Sequence, residues 1–176
     1  MQNVEFKAEL RDVALAKAVL VGTGAGVGAT WIARLLQTDT YFNVPSGRLK
    51  KRESPGEPTE YIFYDRVDRI SPKLSHFKIY SEAQALERFG TTPLPVWVVV
   101  KKARDLYMLG NVRIHIDEVE GLGNFIEFEA MVSPTHTVAR CHEAVAELRA
   151  LLGPALGEPI AGGYSDLLAP ESQVES

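Results

Sequence analysis

The chain has 176 residues, 45% of them hydrophobic, with a formal net charge of −4 at pH 7. That length supports one domain burying roughly 70% of its unfolded surface, and the acidic balance argues against a general nucleic-acid binder, which needs an overall basic surface. A single cysteine, Cys141, excludes an internal disulfide framework and fits a reducing compartment.

In chain order, Met1 to Arg11 alternates charges without an apolar run, so no secretory leader is expected. The first strand, Asn3–Leu10, places Glu5 and Lys7 on one face and Val4 and Phe6 on the other, because successive strand side chains point to opposite sides. A helix is expected over Asp12–Leu20. The uncharged stretch Ala18–Ala33 contains Gly22, Gly24, Gly26 and Gly28 and is too short and glycine-rich to span a membrane. It also contains GxGxxA at Gly24, Gly26 and Ala29, part of a dinucleotide fingerprint. A Rossmann unit would continue with a helix and a parallel strand, whereas Thr30–Val44 reads as a strand closed by a turn at Pro45. The glycines therefore read as a plain connection.

Further strands follow. Gly47–Ser54 carries Arg48, Lys50 and Arg52 on one face and Lys51 on the other; Glu60–Asp68 and Lys73–Tyr80 come next, the latter with Lys78. A helix capped by Ser81 runs to Phe89. Leu94–Arg104 holds Lys102 and Arg104, Asn111–Val119 holds Arg113 and Asp117, and Asn124–Val132 holds Glu127 and Glu129. A final helix, Thr135–Leu152, follows Pro134 and takes in Cys141 as a small core or boundary residue. Residues 1–170 are expected to form one domain and 171–176 a disordered tail. Many short strands joined by tight turns, with helices at intervals, predict an α+β protein built on an antiparallel barrel or sandwich.

Alternating charge also describes an ordinary half-solvated sheet. Two features point further. The cations dominate three segments of a net acidic chain, and Glu127 and Glu129 repel each other unless a cation neutralises them. Convergence of these faces would give a cationic cavity with carboxylates on one wall, suited to a polyphosphate and a divalent metal. Hard divalent cations take oxygen ligands, and Arg and Lys supply the charge neutralisation on which phosphoryl transfer depends. His76, His115, His136 and His142 lack metal-ligand spacing, so no histidine ligand is expected; His115 shares its strand with Arg113 and Asp117. Tyr41, Phe42, Tyr61 and Tyr64 are aromatic candidates for contact with an organic group.

The segments NVEFKAELRD, QTDTYFNVPSGRLKKRE, EYIFYDR, VVVKKARDLYMLGNVRIHIDEVEGLGNFIEFEA and IAGGYSDLL, in that order, resemble the CYTH superfamily, or triphosphate tunnel metalloenzymes. That superfamily includes class IV adenylate cyclases, thiamine triphosphatases and inorganic tripolyphosphatases. The resemblance implies an eight-stranded antiparallel β-barrel, a triphosphate tunnel, with flanking helices. By position it implies that Lys7, Arg48, Lys50, Arg52, Arg66, Lys102, Arg104 and Arg113 grip phosphate oxygens, joined by Lys78. Lys7, Arg52 and Arg113 would act in catalysis. Glu5, Glu127 and Glu129 would hold Mg²⁺ or Mn²⁺, with Asp117 near them. The implied partner is a triphosphate-containing small molecule such as tripolyphosphate, ATP or thiamine triphosphate, with no nucleic acid and no membrane, in the cytoplasm; oligomeric state stays open, a homodimer included. The expected activity is metal-dependent removal of the terminal phosphate. Alternatives are a class IV adenylate cyclase making cyclic AMP and pyrophosphate, and a non-catalytic polyphosphate- or nucleotide-binding module. The chain departs from the ExExK signature at Asn3, where an acid would stand, and the glycine cluster replaces the usual helix-to-strand connection.

Overall fold

The computed structural model describes residues 1–22 and 26–169; Gly24 of the glycine cluster and the tail 171–176 lie outside the described residues. Its elements in chain order are β1 (Gln2–Leu10), α1 (Val13–Val21), β2 (Thr30–Phe42), β3 (Arg48–Glu53), β4 (Glu60–Asp65), β5 (Lys73–Ser81) and α2 (Glu82–Phe89). They continue with β6 (Val96–Leu109), β7 (Val112–Val119), β8 (Gly123–Met131), α3 (Val138–Leu151), β9 (Leu156–Pro159) and α4 (Tyr164–Leu168).

Eight strands close into a ring in the order β1, β5, β4, β3, β2, β6, β7, β8 and back to β1, each pair antiparallel. This is the expected α+β barrel. The two ends of β1 use different partners on one edge: Gln2 to Glu5 pair with β5, while Ala8 and Leu10 pair with β9. Closure leaves β1 no free edge.

The main hydrophobic core lies outside this barrel. Val4, Phe6 and Ala8 of β1, Ile114 and Ile116 of β7, and Ile126, Phe128 and Ala130 of β8 form one buried cluster with Ala16 and Leu20 of α1 and Cys141, Val145 and Leu148 of α3. Phe6 and Phe128 stack with ring centroids 6.0 Å apart. Each large side chain buried there contributes about 1.5–3 kcal/mol. Strand alternation then sends the charged partners of these residues inward. The helices that cover the outer face are started by side-chain caps: Asp12 accepts from Leu15 N, Ser81 from Gln84 N, and Thr137 from Arg140 N.

Two details differ from expectation. Strand β6 runs on past Arg104 to Leu109, because Asp105, which reads as a strand breaker, is met outside the barrel by Arg34 at 2.9 Å, Lys17 at 3.2 Å and Trp31 Nε1 at 3.3 Å. The C-terminal segment adds β9 and α4, each too short to show a period in the sequence. At the turn into β3, Gly47 has φ +69, and a Cβ there would come 2.6 Å from the Phe63 ring, so both backbone and space require glycine. Among the described residues no helix is long and apolar enough to cross a membrane.

Candidate active site

Two rows of side chains cross three adjacent strands on the inner face. In one, Lys7 of β1 stands opposite Glu127 of β8, which stands opposite His115 of β7; in the other, Glu5, Glu129 and Arg113 follow the same order. These residues, with Lys50 and Arg52 of β3, Lys102 and Arg104 of β6, and Arg66 after β4, line a cavity of ≈ 280 Å³ inside the barrel. One end of the barrel interior is filled. Val100, Val119, Phe125 and Tyr41 pack there with Tyr164 of α4. Met1, Ile62, Phe77, Ile79 and Met131 line the other end, where Met1 is 64% and Ile79 39% exposed.

Most of the cations are tied to carboxylates. Asp39 of β2, fully buried, accepts from Arg52 Nε and Nη2 at 2.9 and 2.8 Å and from Lys102 at 2.6 Å, with Lys50 at 3.5 Å. Asp117 takes the Arg104 guanidinium through both oxygens at 2.8 Å and the Tyr164 hydroxyl at 2.7 Å. Arg66 pairs with Glu5 at 2.7 Å, and Lys7 lies 3.7 Å from Glu127 and 3.7 Å above the Tyr164 ring. Arg113, at the open end, forms no ion pair among the described residues. The interior is thus a lattice of matched charges with a cationic side, β3 and β6, facing an acidic side, β1 and β8.

The electrostatics follow from burial and these pairings. Burial alone would raise the Asp39 carboxyl, but Arg52, Lys102 and Lys50 hold it well below the usual range. Burial likewise favours a protonated Glu127, yet Lys7 and His115 hold it well below. For Glu129 burial and the Glu127 charge outweigh the pull of Arg104 and push it up to about 8. Burial, then Arg104, lower His115 to about 4, so its ring is neutral at pH 7 and Nδ1–H donates to Glu127 Oε1 at 3.1 Å. Glu5 is raised too, by burial and by Glu127. Three carboxylates crowded on one wall, with one of them holding a proton at neutral pH, fit a divalent cation, which would discharge the mutual repulsion. The buried Asn3 Oδ1, without a partner in the same wall, fits the same cation.

The structure brings Lys7, Lys50, Arg52, Arg66, Lys102, Arg104, Arg113, Glu5, Glu127 and Glu129 together at the cavity. It does not bring Lys78, which stands exposed on the outer face of β5 with Nζ 5.1 Å from the Tyr80 ring centre. Arg48 lies beside the filled end, bonded to Asp166 of α4 at 3.0 Å. Asp117 lies deeper than the cavity wall with both oxygens engaged. Tyr41 and Tyr64 face the cavity, whereas Phe42 and Tyr61 stack on each other elsewhere, centroids 6.3 Å apart. Sequence reading missed Asp39, Glu60 and Tyr164. The signal for Asp39 was its spacing two from Tyr41, which sets both facing Arg52 and Lys50 across the β2–β3 pair. Because Arg52 lines the cavity while Lys51 pairs with Glu53 at 3.9 Å outside it, Arg52→Ala should weaken tripolyphosphate binding roughly tenfold to a hundredfold, the value of one charge-assisted contact. Lys51→Ala should change it less than about threefold. Calorimetric titration with tripolyphosphate checks this; equal losses would contradict the assignment of the two faces.

These features are those of a family. The CYTH domain model matches residues 1–164, and the chain belongs to the CYTH family. A protein of Methanocaldococcus jannaschii provisionally named an adenylate cyclase is 25% identical over 95% of this chain and 98% of its own length. Among solved structures, the protein PH1012 of Pyrococcus horikoshii superposes with a TM-score of 0.73 at 22% identity, over 94% of this chain and 98% of that one. A protein of Vibrio parahaemolyticus, also provisionally named an adenylate cyclase, gives a TM-score of 0.69 at 19% identity, over 94% and 97%. Both structures share the fold.

Proposed function

We propose that the chain is a Mg²⁺- or Mn²⁺-dependent triphosphatase that removes the terminal phosphate of tripolyphosphate or an organic triphosphate. The observation that supports it most is the facing of two walls across one cavity: Lys50, Arg52, Lys102 and Arg104 on one side and Glu5, Glu127 and Glu129 on the other. The carboxylates would hold the metal, which when bound supplies neutralisation of charge on phosphate oxygens. The chain's own residues do the rest. Asp39 grips Arg52 by Nε and Nη2 and leaves Nη1 for a phosphate oxygen. Lys7, held between Glu127 and the Tyr164 ring, meets the deepest phosphoryl group, and Arg113 meets charge nearer the opening. The apolar packing around Tyr164 excludes water from the far side, which strengthens each of these contacts.

A second reading, an adenylate cyclase, is favoured by the apolar opening formed by Ile62, Phe77, Ile79 and Met131, where a base could rest, and by the names of two relatives. The cyclase must also hold the ribose 3′-hydroxyl against the α-phosphorus, a stricter demand on orientation. With Mg²⁺ or Mn²⁺ present, chromatography should show orthophosphate appearing in equal amount with pyrophosphate from tripolyphosphate and with ADP from ATP. Cyclic AMP and pyrophosphate from ATP would reverse the order of the two readings, and no metal-dependent product from any triphosphate would leave a binding module.

A further inference from the structure

We propose that His115 is itself a ligand of the metal, adding a nitrogen to the oxygen donors of Glu5, Glu127 and Glu129 and the amide oxygen of Asn3, and that this set favours Mn²⁺ over Mg²⁺. The proposal rests on the metal-dependent reading above only for the presence of a divalent cation.

The geometry comes from strand register. His115 faces Glu127 directly across the β7–β8 pair, and Glu129 is the next inward residue on β8. Its Nδ1 lies 3.1 Å from Glu127 Oε1 and 3.5 Å from Glu129 Oε1, and one donor atom from each of the three residues falls within 4.8 Å of the others; ligation through Nδ1 takes the other neutral tautomer, in which the ring proton sits on Nε2 and Glu127 turns from Nδ1–H to the ion. An octahedral ion with bonds of about 2.1 Å places neighbouring donors roughly 3.0 Å apart. The three side chains therefore already stand near the spacing that ligation requires.

Asn3 carries the second observation. It is 3% exposed, its Nδ2 donates to Glu129 Oε2 at 3.3 Å, and its Oδ1 is buried without a partner among the described residues. A hydrogen-bonded network that served structure alone would seldom leave such an atom without a partner among the described residues. With a neutral amide where the family signature has a carboxylate, the set has one charge fewer and gains an imidazole. Mg²⁺ prefers oxygen donors and high negative charge, whereas imidazole suits first-row transition ions.

The test uses the full chain and Mn²⁺ as the probe, first alone and then with tripolyphosphate. Pulsed electron paramagnetic resonance should show a directly coordinated ¹⁴N coupling that changes to the ¹⁵N pattern when histidine is ¹⁵N-labelled. His115→Gln should abolish the coupling and weaken Mn²⁺ binding roughly tenfold, while Mg²⁺ affinity, read by competition, changes less than about threefold. Bound Mn²⁺ without nitrogen coupling overturns the proposal, as does equal weakening of both ions in His115→Gln. If that variant fails to fold, the labelled wild-type chain decides alone. Nitrogen coupling in a chain that turns over no triphosphate sinks the triphosphatase reading and upholds the ligand; turnover without nitrogen coupling does the reverse.

Discussion

Glu129→Gln is expected to lower triphosphate turnover by about a hundredfold or more, on the scale of losing one preorganised charge-stabilising group, while leaving the metal-free fold nearly unchanged. Burial and Glu127 already favour the protonated Glu129 carboxyl at pH 7, so glutamine replaces it with little change of shape or charge. Glu127→Gln should lose as much turnover but also some stability, because Lys7 and His115 lose the anion they face. Thermal melts with and without Mn²⁺, run beside the turnover assay, separate the two effects. Metal-induced stabilisation that survives in both variants would remove these residues from the ligand set.

The largest effect on stability is expected from Asp117→Asn. Asp117 is fully buried, and both of its oxygens hold the Arg104 guanidinium. The substitution leaves a buried guanidinium uncompensated, which costs about 3–5 kcal/mol, or a fall in Tm of roughly 6–20 °C for a chain of this size. Burial opposes ionisation of Asp117, but Arg104 outweighs it and holds the carboxyl below the usual range. A carboxylate whose folded value is depressed stabilises the fold above its unfolded value of about 3.9, and that contribution fades as pH falls from there toward the folded value. The gap in Tm between wild type and Asp117→Asn should therefore be constant from pH 5 to 7 by this argument and shrink below about pH 4. A gap that stays constant to pH 2 would show that packing, and not charge, sets the loss.

The barrel and much of its lining were legible because β-strand alternation is strict. Val4, Phe6, Ile126 and Phe128 mark the face covered by α1 and α3, and Glu5, Lys7, Glu127 and Glu129 must then point inward. Lys78 follows the same rule: it lies one residue from Phe77 and Ile79, which face the cavity, so its own register turned it outward. What single strands could not show was pairing. Asp39, one acid among the uncharged neighbours of TDTYF, becomes the anchor for three cations only when β2 lies between β3 and β6. His115 has no ligand spacing within its own strand, since its neighbours in the wall come from β8. Tyr164 arrives from a five-residue helix far along the chain, and its place in the barrel depends on β9 having docked on β1.

Because Val100, Val119, Phe125, Tyr41 and Tyr164 occupy one end of the barrel, a ligand of the cavity would, among the described residues, come and go at the end lined by Met1 and Ile79. Under the proposed triphosphatase reading, a phosphate cleaved at depth would lie behind the fragment nearer Met1 and Ile79. The order of departure would then be set by position, the outer fragment first and the inner one second.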